Sequence, residues 1–486
     1  MTSRIATPLA ALLLCSCAAV GPNFAPPQGP AASGFAMKGD AQPTSVALAD
    51  DAAPAARWWR NLGSADLDRV MDQALGDSPT LAEADAALTA AQQDAIAAGA
   101  QLGPQGSLNA AVSRDRINLA AYGFTEFPNP TVNLYSVGGT VSYDLDLFGG
   151  RRRAAESARA KAQAEGFRAG AAYLTLTGDV AMQAVQIASL RAQIAAANAV
   201  LADDRDNLAL ARKALDAGSE APSAQVSVSA QLAEDQASIP ALTSALAQAR
   251  HALAVLVGHA PSDWSAPDFD LSDLKPPAAI PIELPSQLAR RRPDILAAEA
   301  DLHAATADVG VQEAKLYPDI TLNAGLTQTA LTPQKILDYG FSGWNVGPGL
   351  SLPILGRGGL KAEQGAAQAQ ARAAFARYQQ TVLTAFGQVA DVLQGLASDD
   401  EALAAQTQAQ SLAQKNLGNA RFAYAHGGAT LLDVTDAQRG LSRARIAYAQ
   451  AEGRRLADVV RLYMATGADW TERSAETAKS SADSPL

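Results

Sequence analysis

Two stretches of this chain repeat one another without a gap. Residues 79–112 read PTLAEADAALTAAQQDAIAAGAQLGPQGSLNAAV, and residues 293–326 read PDILAAEADLHAATADVGVQEAKLYPDITLNAGL. At an offset of 214, identical residues coincide at Pro79/Pro293, Leu88/Leu302, Asp94/Asp308, Leu102/Leu316, Pro104/Pro318, Leu108/Leu322 and Asn109/Asn323. Farther along, Gly218 and Gly427 correspond at an offset of 209. Two copies of a unit of about 210 residues therefore fill most of the chain, which indicates a tandem duplication.

Each copy ends in a pair of long predicted helices. In the first copy, apolar residues recur at steps of three and four, interrupted only by Asp204, at Ile187, Leu190, Ile194, Ala197, Leu201, Leu208, Ala211 and Leu215. Spacing sustained over this length predicts helices packed as a coiled coil. Glycine readily adopts the left-handed conformation that ends a helix, so Gly218 and Gly427 are expected to reverse the chain. We therefore predict helical hairpins over residues 151–258 and 358–466.

Predicted strands precede each hairpin. Apolar and polar residues alternate over about 106–118 and 131–147 in the first copy and about 319–330 and 341–355 in the second. Strands of this length with this alternation are typical of a membrane β-barrel with apolar side chains outward, although a soluble half-buried sheet has the same period. Four strands cannot close a barrel of useful bore, and open edges are not tolerated in lipid. Several chains would therefore have to share one barrel.

The N-terminus predicts an exported lipoprotein. Residues 1–16 contain one positive charge and an apolar run, which is the pattern of a signal peptide. They lead to the sequence LCSC at 14–17, which resembles a lipobox. This resemblance implies cleavage before Cys17 and acylation of that cysteine, and Ala18 in the next position implies delivery to the outer membrane. The alternative is an ordinary secreted protein cut at Ala18 or later. We expect no cofactor besides this lipid.

Composition argues against several other classes of protein. The net charge is −11, and no basic stripe with interleaved aromatic residues appears, so we expect no nucleic acid partner. No nucleotide-binding or nucleophile motif is present, and the four histidines, His251, His259, His303 and His426, have no metal-ligand spacing. We therefore predict neither an enzyme nor a metal site. No apolar run of 18 residues follows the signal peptide, so a membrane span would have to be β.

Several short motifs, in this order and at these spacings, carry a family resemblance. They are VGPNFAPP at 20–27, RWW at 57–59, LPS at 284–286, RRPDI at 291–295, LYP at 316–318, LPI at 352–354 and DAQR at 436–439. With the cysteine at position 17, the chain resembles the outer membrane factors, the TolC-like outer membrane efflux proteins, and most closely their lipoprotein branch of NodT/OprM type.

The resemblance implies an α+β membrane protein that works as a homotrimer. Three chains would share one 12-stranded transmembrane barrel and a 12-helix periplasmic tunnel surrounded by an equatorial belt. The segments would be the signal peptide (1–16), a lipidated extended segment (17–56), the first repeat (57–265), an equatorial linker (266–283), the second repeat (284–470) and a disordered tail (471–486). The expected partners are outer-membrane lipid, a periplasmic adaptor protein and an inner-membrane transporter of the RND type. The expected function is passive, gated exit of small molecules such as drugs.

Site residues follow from the same resemblance. Leu432, Asp436 and Arg439 are expected to narrow the periplasmic end as a gate. The inward strand residues Asp144 and Asp146 would place acidic rings in the pore and favour cations. The hairpin tips at Gly218, Ser219, Gly427 and Gly428 are the expected adaptor contacts. An isolated Asp–Arg pair three residues apart is otherwise an ordinary solvated helix pair.

Two other functions compete with efflux. A channel for type I protein secretion would need the same duct, whereas a non-conducting coiled-coil lipoprotein would only space the layers of the envelope. The alternating strands favour a duct, because a spacer has no need of lipid-facing strands.

Overall fold

The computed structural model describes residues 19–28, 34–35, 37–41, 46–48, 57–123, 125–126, 128–277, 280–282, 285–468 and 470. The predicted signal peptide (1–16), the lipidation residue Cys17 and the predicted disordered tail (471–486) lie outside these residues.

The described elements follow the order helix, two strands, long helical hairpin, twice over. The first set is α1 (Ala65–Asp77), α2 (Pro79–Ala100), β2 (Gln105–Arg116), β3 (Thr131–Asp144), α3 (Gly150–Asp216) and α4 (Pro222–Leu256). The second set is α5 (Pro285–Leu288), α6 (Pro293–Ala314), β5 (Asp319–Ala330), β6 (Ser342–Ser351), α7 (Arg357–Ala425) and α8 (Leu431–Ala465). In the segments outside the repeats, β1 (Val46–Leu48) pairs in parallel with β4 (Ile280–Ile282), which lies in the predicted equatorial linker.

The four long strands form one antiparallel sheet in the order β2-β3-β5-β6. Each repeat supplies one hairpin, and the hairpins join through β3 and β5, where Tyr135 is opposite Ala330 and Asp144 is opposite Thr321. Within the sheet, β2 and β6 are the two outer strands.

The register separates the side chains of the sheet into two chemically different faces. One face is mainly apolar and carries Leu108, Ala110, Val112, Tyr135, Val137, Val141, Tyr143, Leu322, Ala324, Leu326, Trp344, Val346 and Leu350. The other is polar and small and carries Ser107, Asn109, Ser136, Thr140, Ser142, Thr321, Asn323, Thr327 and Asn345. On the apolar face, Leu108 is 80% exposed and Val346 is 74% exposed. The chain by itself therefore leaves a large apolar surface uncovered.

Two of the predicted strands end three or four residues earlier than the alternation suggested. The strand predicted over 131–147 stops at Asp144, because Asp146 has a φ of 45° and begins the turn into α3. The strand predicted over 341–355 stops at Ser351. Proline at 353 offers no backbone N–H, and Gly356 has a φ of 77°, so this segment turns toward α7 instead of continuing the ladder.

The chain divides into two compact units, and each unit combines pieces of both repeats. One comprises 1–27, 87–165 and 297–378 and contains the sheet. The other comprises 28–86, 166–296 and 379–486. Its core is built around Trp58 and Trp59, each 1% exposed, and the Trp58 ring stacks on Tyr463 with centroids 4.9 Å apart. Both tryptophans of the RWW motif are therefore core residues.

Helix α3 contains one 18-residue window with a mean hydropathy of 1.2, and 56% of that window is buried inside the protein. Length and composition alone make it a weak candidate for a membrane span.

Candidate functional site

The polar face of the sheet is the first candidate for a conduit wall. Its middle positions are mainly serine, threonine, asparagine and glycine, and carboxylates lie toward its ends, Asp115 at one end and Asp144 and Asp319 at the other. Gly349 on β6 lies so close to Thr321 that a Cβ there would come within 3.1 Å of the hydroxyl oxygen. The middle of this face can therefore be wetted without presenting a strong charge, and the carboxyl groups lie only toward its ends.

The predicted acidic residues lie at the junction between β3 and α3. The Asp144 carboxylate accepts a hydrogen bond from Arg151 Nε at 2.6 Å and one from the amide of Asp146 at 2.8 Å. The Asp146 carboxylate accepts bonds from the amides of Arg151 and Arg152, both at 3.0 Å, and pairs with the guanidinium of Arg152. Only Asp144 belongs to the strand, and both carboxylates have a cationic partner. That they form acidic rings in a pore stays a prediction.

The two hairpin tips have the same backbone geometry. Gly218 and Gly427 each have a φ of 72°, in the left-handed region that favours glycine. In each tip the next amide, of Ser219 or Gly428, donates to the carbonyl five residues earlier, at 2.9 Å and 2.8 Å. These bonds are the Schellman motif, which satisfies the last carbonyls of a helix. Both predicted tips therefore lie at chain reversals, between α3 and α4 and between α7 and α8.

The predicted gate residues lie on the first turns of α8. Leu432 is 58% exposed, although Leu431 and Val434 beside it are buried. Arg439 Nη1 donates to Asp436 Oδ1 at 3.0 Å, and both side chains are partly exposed. Leu432 and Asp436 therefore lie on the outward side of a helix whose opposite side packs into the hairpin, which leaves them available for contact with another chain, whereas Arg439 is only partly exposed.

A buried polar cluster adjoins Arg439, one of the predicted gate residues. Asp204 on α3 is 3% exposed and Asn207 is 2% exposed. Asp204 Oδ2, Asn207 Nδ2 and Arg439 Nε are buried, and each has no hydrogen-bond partner among the described residues. Unsatisfied buried polar atoms are rare in proteins and usually mark a site of strain or function.

The electrostatics of this cluster are unusual. The pKa of Asp204 is raised to about 7, mainly by burial. Its hydrogen bond to Asp235 on α4 and the negative charges of Asp235 and Asp203 raise the pKa further, whereas the Arg439 guanidinium lowers it. Gln231 Nε2 holds the other carboxylate, donating to Asp235 Oδ2 at 2.7 Å. Asp204 therefore keeps its proton up to near-neutral pH. This pair was not predicted from the sequence, where its one signal was Asp204 itself, an acid at an apolar position of the helical repeat.

A second arginine ties the hairpins of the two repeats together near the tips. Arg421 on α7 donates to Asp203 on α3 at 3.1 Å and to Gln438 on α8 at 3.2 Å. Gln438 is 3% exposed. This link joins three long helices, so separation of the hairpins requires these bonds to break.

The residues that follow the predicted lipidation site are held against the helices below the sheet. Arg153 Nε donates to the carbonyl of Val20 at 3.1 Å. The ring of Phe24 stacks on His303 with centroids 4.4 Å apart, and His303 Nε2 lies 2.9 Å from Glu156 Oε1. Burial would raise the pKa of Glu156, but hydrogen bonds from His303 and Arg153 and their charges lower it. The N-terminal segment is therefore anchored by packing and by charge.

None of the described residues forms a cluster of three or more histidine, cysteine, aspartate or glutamate side chains suited to hold a metal ion. The features that the described residues do show are a two-faced sheet, a pair of helix tips and a charged cluster beside one of them.

Comparison with known proteins gives one family. The family model for outer membrane efflux proteins matches twice, over residues 70–259 and 284–468. The pyoverdine export outer membrane protein OpmQ of Pseudomonas aeruginosa is 32% identical over 86% of this chain and 89% of its own length. Nodulation protein T of Rhizobium leguminosarum bv. trifolii is 28% identical over 96% of this chain and 97% of its own. The solved structure of the outer-membrane channel OprN covers 94% of this chain and 100% of that one, with a TM-score of 0.85 and 28% identity.

Proposed function

Because the chain belongs to the outer membrane efflux protein family, we propose that three copies join their four-stranded sheets into one barrel, through which solutes leave the cell. The observation that carries this proposal is the sheet itself, with an exposed apolar face, a polar opposite face and two outer strands. Lipid tolerates no unpaired strand edge, and closure of a barrel removes every edge. The apolar face then meets lipid and the polar face lines the bore.

The family defines the cellular setting. The chain is an outer-membrane efflux channel of the kind that works in tripartite pumps, and it extends into the periplasm. Its relatives are transport proteins, among them a channel named for pyoverdine export. The finer assignment is that a periplasmic adaptor docks on the tips at Gly218, Ser219, Gly427 and Gly428, with an RND-type transporter in the inner membrane. The cargo is small molecules, chosen by that transporter.

The gate lies at the second tip. Leu432, Asp436 and Arg439 from three copies narrow the periplasmic end, where Leu432 forms an apolar ring and Asp436 an acidic one. The Asp436–Arg439 pair at 3.0 Å supports this role, as does the exposure of Leu432 and Asp436 on one side of α8. Adaptor contact would replace these bonds and let the hairpins separate.

The lipid anchor is at Cys17. The contacts of Val20 and Phe24 with Arg153 and His303 support this assignment, because they hold the chain just after the cysteine in a fixed place. Mass spectrometry of the mature N-terminus tests it: an acylated Cys17 is expected, and a free N-terminus at any other residue contradicts it.

Two neighbouring alanines test the barrel with a matched control. Ala110 lies on the apolar face of β2 and Ala111 on the polar face. An arginine facing lipid at mid-strand costs about 2–4 kcal/mol, so Ala110→Arg should reduce the heat-modifiable trimer recovered from outer membranes, whereas Ala111→Arg should not. Wild-type protein in planar lipid bilayers should conduct ions. Equal loss of trimer in both variants, or a wild-type protein that never conducts, would contradict the proposal.

A further inference from the structure

The structure places two arginines on the lipid-facing side of the sheet, at one end only. Arg114 and Arg116 are the last residues of β2 on that face, opposite Asn133 and Thr131 of β3. They share a face with Leu108, Ala110 and Val112 because alternate residues of a strand point to the same side. Both arginines are exposed.

This end of the sheet is the extracellular one. The long helices α3 and α7 follow the opposite ends of β3 and β6, and the family places such helices in the periplasm. The loop after Arg116 therefore lies outside the cell. Two aromatic residues of the same face lie toward this end, Tyr135 and Trp344, and Trp344 is 71% exposed. Aromatic residues are enriched where a barrel crosses the lipid interface, so the arginines lie at or just above that level.

The lipid-facing side of the sheet carries charges of one sign only. Across the four strands the lipid-facing positions contain Arg114 and Arg116 and no acidic residue. Neither guanidinium has a hydrogen bond or ion pair with another residue in the part of the chain that the structure describes. The carboxylate between them, Asp115, lies on the opposite face and accepts from Ser113 at 2.7 Å. Cationic side chains at a lipid surface are stabilised by anionic headgroups, and arginine matches phosphate oxygens through two parallel N–H donors.

We propose that Arg114 and Arg116 bind the phosphate groups of a glycolipid in the outer leaflet, which gives each protomer a lipid site on the outside of the barrel. The proposal rests on the barrel orientation given under Proposed function. The acyl chains of such a lipid would lie along Val112, Leu108 and the other apolar residues below the arginines. The site would fix the height of the barrel in the membrane.

Lipid titration of the purified full-length trimer tests this site. The probes are bisphosphorylated lipid A and the same lipid after removal of its phosphates, with bound lipid measured by native mass spectrometry. Each arginine near an anionic surface contributes roughly a fivefold gain in affinity, so the phosphorylated form should bind the wild-type trimer more tightly by about thirtyfold. The variant R114Q/R116Q should lose most of this preference, whereas R114K/R116K should keep part of it and lose it in high salt.

The control is R212Q/K213Q, which removes two exposed charges near the end of α3 and should leave the preference unchanged.

If the wild-type trimer does not distinguish the two lipids, or if R114Q/R116Q still does, the proposed lipid site is wrong while the proposed barrel stands. If D338N, in the loop before β6, weakens the trimer as R114Q/R116Q does, the arginines pair with a neighbouring subunit and the lipid site is also wrong. If R114Q/R116Q gives no trimer, the lysine variant and its salt dependence decide. Failure of wild-type protein to form a trimer would instead overturn the proposed function.

Discussion

The two hairpin tips differ in how their second helix begins, although their first helices end alike. Gly218 and Gly427 have the same φ and the same Schellman bonds. Helix α4 then begins with Pro222 after Ala221, which offers no side-chain cap, whereas α8 begins with a capping box between Thr430 and Asp433. The duplication therefore preserved the chain reversal, and the two copies diverged in the residues that follow it.

The divergence also separates the charges. Leu432, Asp436 and Arg439 in the second tip correspond to Ser223, Ser227 and Ala230 in the first, which are uncharged. Conversely, the buried acids Asp204 and Asp235 of the first hairpin correspond to Ala413 and Ala444 in the second. Arg439 of the second hairpin faces the two acids of the first, so each hairpin supplies one half of this electrostatic contact. A single repeat could not form it.

The largest expected effect comes from removing the charged pair of the second tip. The double change Asp436→Ala and Arg439→Ala should raise single-channel conductance in planar bilayers several-fold, because the acidic ring and its tether would both be lost. The matched change in the first tip, Ser227→Ala, should leave conductance as in wild type. Unaltered conductance in the double variant would show that the constriction lies elsewhere.

The next effect is on pH dependence and belongs to the first hairpin. The pKa of Asp204 is about 7, above its ordinary value of 3.8, so the stability that comes from its protonated form is fully present below about pH 4 and is lost as the pH rises through 7. A shift of this size corresponds to at most roughly 4 kcal/mol. Thermal melting followed by circular dichroism should show Tm falling between pH 5 and pH 8.5 in wild type and falling less in Asp204→Asn. Equal slopes in the two proteins would contradict the assignment.

Glycine replacement tests whether the two reversals are equivalent. Gly218→Ala and Gly427→Ala meet no steric obstacle, since no atom lies within 4 Å of an added Cβ at either site. The left-handed φ alone should cost about 1–2 kcal/mol in each case. Gly418→Ala, inside helix α7, provides the control, and it should be neutral or stabilising. Urea unfolding would measure all three, and a clear difference between the two tip variants would show that the tips are not alike.

The smallest effect concerns the caps. Thr430→Ala removes the hydroxyl that accepts from the Asp433 amide at 3.2 Å and should cost about 1 kcal/mol. Ala221→Ser should gain a few tenths to about 1 kcal/mol, because Ala221 already has the extended backbone of a cap. The same urea series measures both. A higher free energy of unfolding for Thr430→Ala, or a lower one for Ala221→Ser, would contradict the difference between the two helix starts.

Local patterns account for much of what could be predicted from the sequence. Strand alternation identified both faces of the sheet, and glycine at 218 and 427 marked the ends of α3 and α7, because each feature depends on neighbours close in the chain. The strand ends at Asp144 and Ser351 were missed, since they depend on a carboxylate cap and on a turn into a helix. The raised pKa of Asp204 beside Asp235 was missed for a further reason: the two residues meet only when α3 and α4 pack side by side.

The strand order has a consequence for how the protein must mature. One edge of β3 pairs with β5, where Tyr135 is opposite Ala330. The central ladder therefore cannot form until the second half of the polypeptide has been exported. Contacts between such distant positions form slowly and leave unpaired edges open to aggregation in the meantime. We therefore expect the exported chain to need periplasmic chaperones until the central ladder has formed.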